Sequence, residues 1–172
     1  MIYMVEHTIG MPDIEPEWNA WYAGYLKVLL AVPGIQATQR FRIAGSKPSR
    51  YMAVYTLTSG DVFESAIYKA SGGGGNASAR FRPAYQSWTR NLFDAPNGVP
   101  GVAMDQVLVT ADRAAPGGKP FDWLTTVGLH KTTPFRGVAV MSVDEASRLS
   151  ATLAGDITIY TPMTPRMSGA QH

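Results

Sequence analysis

Three residues of this 172-residue chain, His7, Tyr25 and Arg40, have side chains suited to moving a proton on a carbonyl compound. An imidazole titrates near neutral pH and can serve as a general base. A phenol can donate a hydrogen bond to the oxygen of a developing enolate. A guanidinium can grip a carboxylate or phenolate with two parallel bonds. Each also has a plainer reading. His7 reads equally as a half-buried histidine bonded to a neighbour, Tyr25 as core packing with its hydroxyl at the rim, and Arg40 as a solvated or interface ion pair. Trp21, Tyr22, Tyr55, Tyr85 and Trp88 are flat apolar walls that suit a ring by stacking. Arg90 follows Trp88 in "WTRN", where both would stand at a pocket mouth. Singly, each aromatic is explained by a core; together they define a small hydrophobic pocket.

The elements that must position these groups are legible in the pattern. "MIYMVEHTI" alternates and is rich in strand formers, so His7 shares a face with Tyr3 and Val5 while Glu6 points the other way. A helix follows from about residue 17 to 32. Trp18, Trp21, Tyr22, Tyr25, Leu26 and Leu29 form one apolar stripe at helical spacing. Pro16, Glu15 and Glu17 suit its start, and "VPG" stops it. "IQATQRFRI" and "RYMAVYTLT" read as a hairpin, with Ile35, Ala37, Phe41 and Ile43 on one face and Thr38, Arg40 and Arg42 on the other.

Further along, a second helix begins near "SGDVFESAIYKA" and is broken by "SGGGGNAS", a mobile linker or a lid. That glycine run lacks the lysine and threonine of a phosphate loop. "PAYQSWTRNLF" resumes helical spacing through Tyr85, Trp88 and Leu92, and "DAPNGVPG" marks a boundary. "AMDQVLVTADR" is a strand, "APGGKP" a loop and "FDWLTTVGLH" a short helix that His130 would end. "FRGVAVMSV" and "DITIYTPM" are strands around the helix "DEASRLSATL". The expected division is 1–103, 104–163 and a frayed tail at 164–172. The later segment echoes the first in pattern, which reads as a degenerate tandem repeat or as the ordinary patterning of an α+β chain.

Composition narrows the classes. A net charge of +2, with Arg40, Arg42 and Arg50 in no sustained run, is too weak for nucleic acid. No cysteine is present, which removes disulfides and thiolate chemistry. His7, His130 and His172 show no ligand spacing, so no metal or organic cofactor is expected. No signal peptide or membrane span is legible, and a cytoplasmic protein is the default. Only 16% of residues are charged, which suits a surface partly covered by a second subunit.

The stretch "WYAGYLKVLLAVPGIQATQRFRI…RYMAVYTL" resembles the dimeric α+β barrel superfamily, especially its EthD-like and antibiotic-monooxygenase-like branches. The matching positions are Trp21, Tyr22, Pro33, Gly34, Arg40 and Phe41, within residues 1 to 110. The resemblance implies a ferredoxin-like antiparallel sheet with helices on one face, a pocket between helix and sheet, and a homodimer. Where many relatives carry an acidic residue and a histidine after the tryptophan, this chain has Gly24 and Tyr25. The function so implied is a cofactor-independent enzyme acting by proton transfer on a small aromatic or conjugated carbonyl compound, of isomerase, cyclase or lyase type. The alternatives are a cofactor-free monooxygenase of the same fold and a non-catalytic ligand-binding or assembly protein.

Overall fold

The computed structural model describes residues 1–96, 98, 101–113, 121–153 and 155–169. The loop expected at 115–120 and His172 lie outside the described residues. β1 (Ile2–Ile9), β2 (Ile35–Arg42), β3 (Ser49–Leu57) and β4 (Tyr85–Asp94) form one antiparallel set, ordered β2-β3-β1-β4. β5 (Gln106–Ala111), β6 (Asp122–Leu129), β7 (Phe135–Ser142) and β8 (Ile157–Pro162) form a second, ordered β6-β7-β5-β8. Counted within each set, both orders are 2-3-1-4. The sets join along both edges, β4 on β6 and β2 on β8, so the sheet closes into a barrel within one chain. A second copy is therefore not needed to close it.

Two segments expected as helices are strands. β4 occupies "PAYQSWTRNLF": Tyr85, Trp88 and Leu92 fit a helical period, but Trp88, Arg90 and Leu92 also fit the period of 2 that a partner for β1 requires. "FDWLTTVGLH" is β6, so no helix dipole stands behind His130. The expected second helix is split into a 3-10 turn (Gly60–Glu64) and a short α2 (Ala66–Ala70), with the Ser65 hydroxyl accepting from Tyr68 N at the junction. The tail is pinned by β9 (Met167–Ser168), which pairs with Ala37 and Thr38 of β2, so it does not fray over its described part.

α1 (Glu15–Leu30) follows the expected plan, with Pro16 in its first turn and Lys27 in its last. It lies on the outer face of the first set and buries Trp18, Tyr22, Leu26 and Leu29 against Tyr3, Val5, Tyr51, Ala53 and Tyr55. Each such aliphatic side chain contributes about 1.5 to 3 kcal/mol. α3 (Val143–Thr152) covers the second set through Ala146 and Leu149, and starts at a capping box built by Ser142 and Glu145.

A register shift between Ile35 and Ala37 changes which β2 side chains face α1. Ile35 stays in the outer core beside Leu57, whereas Phe41 turns into the barrel with Met4 and Met52. Thr38 and Arg40 then stand beside Tyr55 and Ala53, under α1. The barrel interior is filled by Ile2, Met4, Phe93, Leu108 and Tyr160 and holds the buried Arg136 of an ionic network whose Asp112 is exposed. Arg136 is 4% exposed, grips both carboxylate oxygens of Asp112 at 2.7 and 2.8 Å, and donates to Glu6 Oε2 at 2.9 Å. Tyr160 donates to Glu6 Oε1 at 2.8 Å. Glu6 thus points away from His7, as alternation requires.

Candidate functional site

Between α1, the outer sheet face and the segment after β3 lies a cavity of about 30 Å³. That is room for about two waters. Tyr3, Val5, His7, Tyr55 and Trp88 form its floor, and Trp21, Tyr22, Tyr25 and Leu29 of α1 its roof. Tyr68, Gly74, Gly75 and Ser78 close the remaining side. Six of the nine residues singled out from the sequence, His7, Trp21, Tyr22, Tyr25, Tyr55 and Trp88, line this one space, whereas Arg40, Tyr85 and Arg90 do not.

His7 is 4% exposed, and its ring makes no hydrogen bond among the described residues. It meets aromatic rings instead: Trp18, Tyr22 and Tyr85 edge-on at 5.2, 5.6 and 4.9 Å, and Trp88 stacked at 6.4 Å. The expected hydrogen-bonded structural histidine is therefore not what the fold contains. Burial, and next the positive charge of Arg40, push its pKa down to about 3, so the imidazole is neutral at physiological pH. A neutral ring offers one donor and one acceptor nitrogen, and both await a partner.

Tyr22 and Tyr55 share a single hydrogen bond, 3.5 Å between their hydroxyls. One phenol donates to the other, and the acceptor's own proton is left for a third group. Burial raises both pKa values, that of Tyr22 to about 12, so both stay protonated. Tyr25 differs from its expected role. Its hydroxyl donates to Gly72 O at 3.1 Å, so its proton is already taken and its work is to tie α1 to the glycine run.

Arg40 stands apart from the other candidates. It does not line the cavity but lies behind it, 2% exposed, with its guanidinium 4.6, 4.5 and 5.1 Å from the ring centres of Trp18, Tyr22 and Tyr51. Its Nη2 donates to Asn19 Oδ1 at 2.6 Å, Asn19 donates to Tyr51, and Tyr51 donates to Glu15. The cation is thus buried among rings with no carboxylate in contact among the described residues, and its field falls on His7 and Tyr22. Arg90 stands at the edge, its guanidinium 4.8 Å from the Trp88 ring.

The glycine run was expected as a linker or lid, and it is a wall. Gly72, Gly74 and Gly75 have φ of +74, +71 and +90°. A Cβ on Gly75 would lie 2.5 Å from Trp88, so this backbone rests directly on the ring. It is held by Tyr68 OH accepting from Gly74 N at 3.0 Å and by Ser78 Oγ donating to Gly75 O at 3.1 Å. Sequence reading missed Tyr68 and Ser78. The available signal was a run of glycines between aromatic-bearing segments, which marks close backbone approach to rings. Two larger hollows, of about 600 and 520 Å³, are open surface grooves that do not include His7. No cluster of three potential metal ligands occurs among the described residues, and no described helix is long and apolar enough to cross a membrane.

The architecture defines the class: this chain has the dimeric α+β barrel fold, built from two ferredoxin-like sets in one polypeptide. Solved structures of similar length share it. An anthrone oxidase-like protein superposes with a TM-score of 0.61 at 12% identity, over 99% of this chain and 93% of that one. A candidate monooxygenase of Fusobacterium nucleatum subsp. nucleatum gives 0.57 at 9% identity, over 99% and 96%. Another, of Lactobacillus acidophilus, gives 0.50 at 11%, over 99% and 97%. At such identities the likeness is one of fold. No protein-family model matches the sequence, and no curated protein matches it.

Proposed function

We propose that the cavity under α1 binds a small aromatic or conjugated carbonyl compound and moves a proton on it without a cofactor. The observation that carries this is His7: an imidazole with no hydrogen bond among the described residues, lining a small cavity whose other walls are largely aromatic. His7 takes the proton from an acidic C–H or O–H of the ligand, the anion formed beside it raising the imidazole's low resting affinity for a proton. The anion left behind accepts from the free hydroxyl of the Tyr22–Tyr55 pair, and the field of Arg40 favours that anion while holding His7 neutral at rest. Tyr22 and Tyr55 thereby take the oxyanion role first given to Tyr25, and Arg40 acts through space rather than as a clamp. The cavity is smaller than the roughly 150 Å³ that admits a benzene ring. A ring therefore enters only with displacement of part of the lining.

The name of one structural neighbour, anthrone oxidase-like, supports an oxidative variant of the same chemistry. A carbanion formed at His7 would add to dioxygen, and the protonated hydroperoxide would lose water to leave a new carbonyl. Deuterium exchange separates these readings from a non-catalytic binder. In D2O the wild-type chain is expected to wash deuterium into the methylene of anthrone, with His7→Phe inactive. Oxygen uptake with the same His7 dependence selects the oxidative variant. Binding of the ring with no exchange and no uptake overturns catalysis and leaves a ligand carrier.

A further inference from the structure

The geometry points to a carboxylate-binding subsite at the outer edge of Trp88, formed by Arg90, His130 and Arg82, so that the ligands of this cavity are planar aromatic acids. The inference rests on the ring-binding reading above and adds the charged group. Arg90 and Arg82 both place their guanidinium groups on the Trp88 ring, at 4.8 and 6.0 Å from its centre, and His130 meets it edge-on at 5.8 Å. Neither arginine contacts a carboxylate among the described residues. Both adjoin the cavity wall: a Cβ on Gly74 would lie 3.5 Å from Arg90 Nη1, and Arg82 Nη2 reaches Gly75 O at 3.4 Å.

His130 supplies the sharper argument. Arg90 N lies 3.3 Å from its Nδ1 and Arg90 Nε lies 3.4 Å from its Nε2. A neutral imidazole has one acceptor nitrogen, so in either tautomer one of these contacts sets an N–H against an N–H. A carboxylate oxygen seated there accepts from both and removes the conflict. The turn is held to this geometry at some strain. Leu129 and Lys131, on either side of His130, have φ of +64 and +50°, a region that side-chain-bearing residues rarely adopt. Asn91, fully buried, braces the same turn by donating to Thr132 Oγ1 at 2.7 Å and accepting from Thr132 N at 3.0 Å. Arg90 lies against Trp88, a residue of the cavity lining, so a ring attached to that carboxylate would reach the cavity from there.

Titration calorimetry of the full chain with 2-naphthoate and with its neutral isostere 2-naphthamide tests this. The acid is expected to bind about tenfold more tightly, the usual worth of a charge-assisted bond. Arg90→Gln should weaken the acid by about tenfold and leave the amide within about twofold. His130→Asn, a surface change, should weaken the acid in the same sense. Equal affinities for acid and amide, unmoved by either variant, would overturn the subsite while the ring-binding reading stands. Failure of both compounds to bind would overturn the ring-binding reading and the subsite with it.

Discussion

The state of His7 makes a quantitative prediction about acid stability. Its pKa is about 3 in the folded chain, against an ordinary 6.5. Between those values the unfolded chain binds a proton that the folded chain refuses. Stability is therefore full above pH 6.5 and falls as pH drops toward 3, by about 1.4 kcal/mol per unit. At pH 5 the loss from this one group is about 2 kcal/mol relative to pH 8. Urea unfolding of wild type and His7→Phe at both pH values isolates it, because His130 and the carboxylates contribute equally to the two proteins. Phenylalanine suits a site made of ring edges and cannot titrate. The wild type should lose about 2 kcal/mol more than the variant on going to pH 5. In an Arg40→Met background the difference should shrink, since removing the neighbouring cation raises the His7 pKa. Parallel losses in wild type and variant would refute the claim that His7 is buried neutral and unpartnered.

Two further substitutions test other parts of the fold. Arg136→Met removes the buried cation from partly exposed Glu6, which keeps Tyr160, and from exposed Asp112, and should cost about 1 to 3 kcal/mol in urea unfolding; no measurable loss would mean that the bonds of Arg136 do not contribute to stability. Gly75→Ala forces a Cβ into Trp88 at a positive φ and should loosen the wall. Amide hydrogen exchange across residues 72–78 should quicken while β1 stays protected, and unchanged exchange would show that the glycine run does not rest on the ring.

The aromatic stripe of α1, the alternation of β1 and the β2–β3 hairpin were legible because each has one clear period and one buried face. That sufficed to bring His7, Trp21, Tyr22, Tyr25 and Tyr55 to a common space. β4 was obscured because Tyr85, Trp88 and Leu92 satisfy two periods at once, and only the need of β1 for a second partner decides between them. β6 was misread because "FDWLTTVGLH" is short and its outer face stays exposed at Trp123 and Val127, which erases the alternation. The environment of Arg40 depends on a register shift two residues past the turn, which no composition signals. The hydrogen bond of Tyr25 depends on where the glycine run folds back, a tertiary fact.

The central claim is that an unpartnered imidazole at position 7 waits for a planar ligand under α1. Nitrogen-15 NMR of histidine-labelled protein reads it directly, with the His7 signals assigned by their loss in His7→Phe. At pH 7 both His7 nitrogens should report a neutral ring, and titration with 2-naphthoate should shift them as the ligand saturates. Saturable binding of that compound with the His7 signals unmoved would contradict the account.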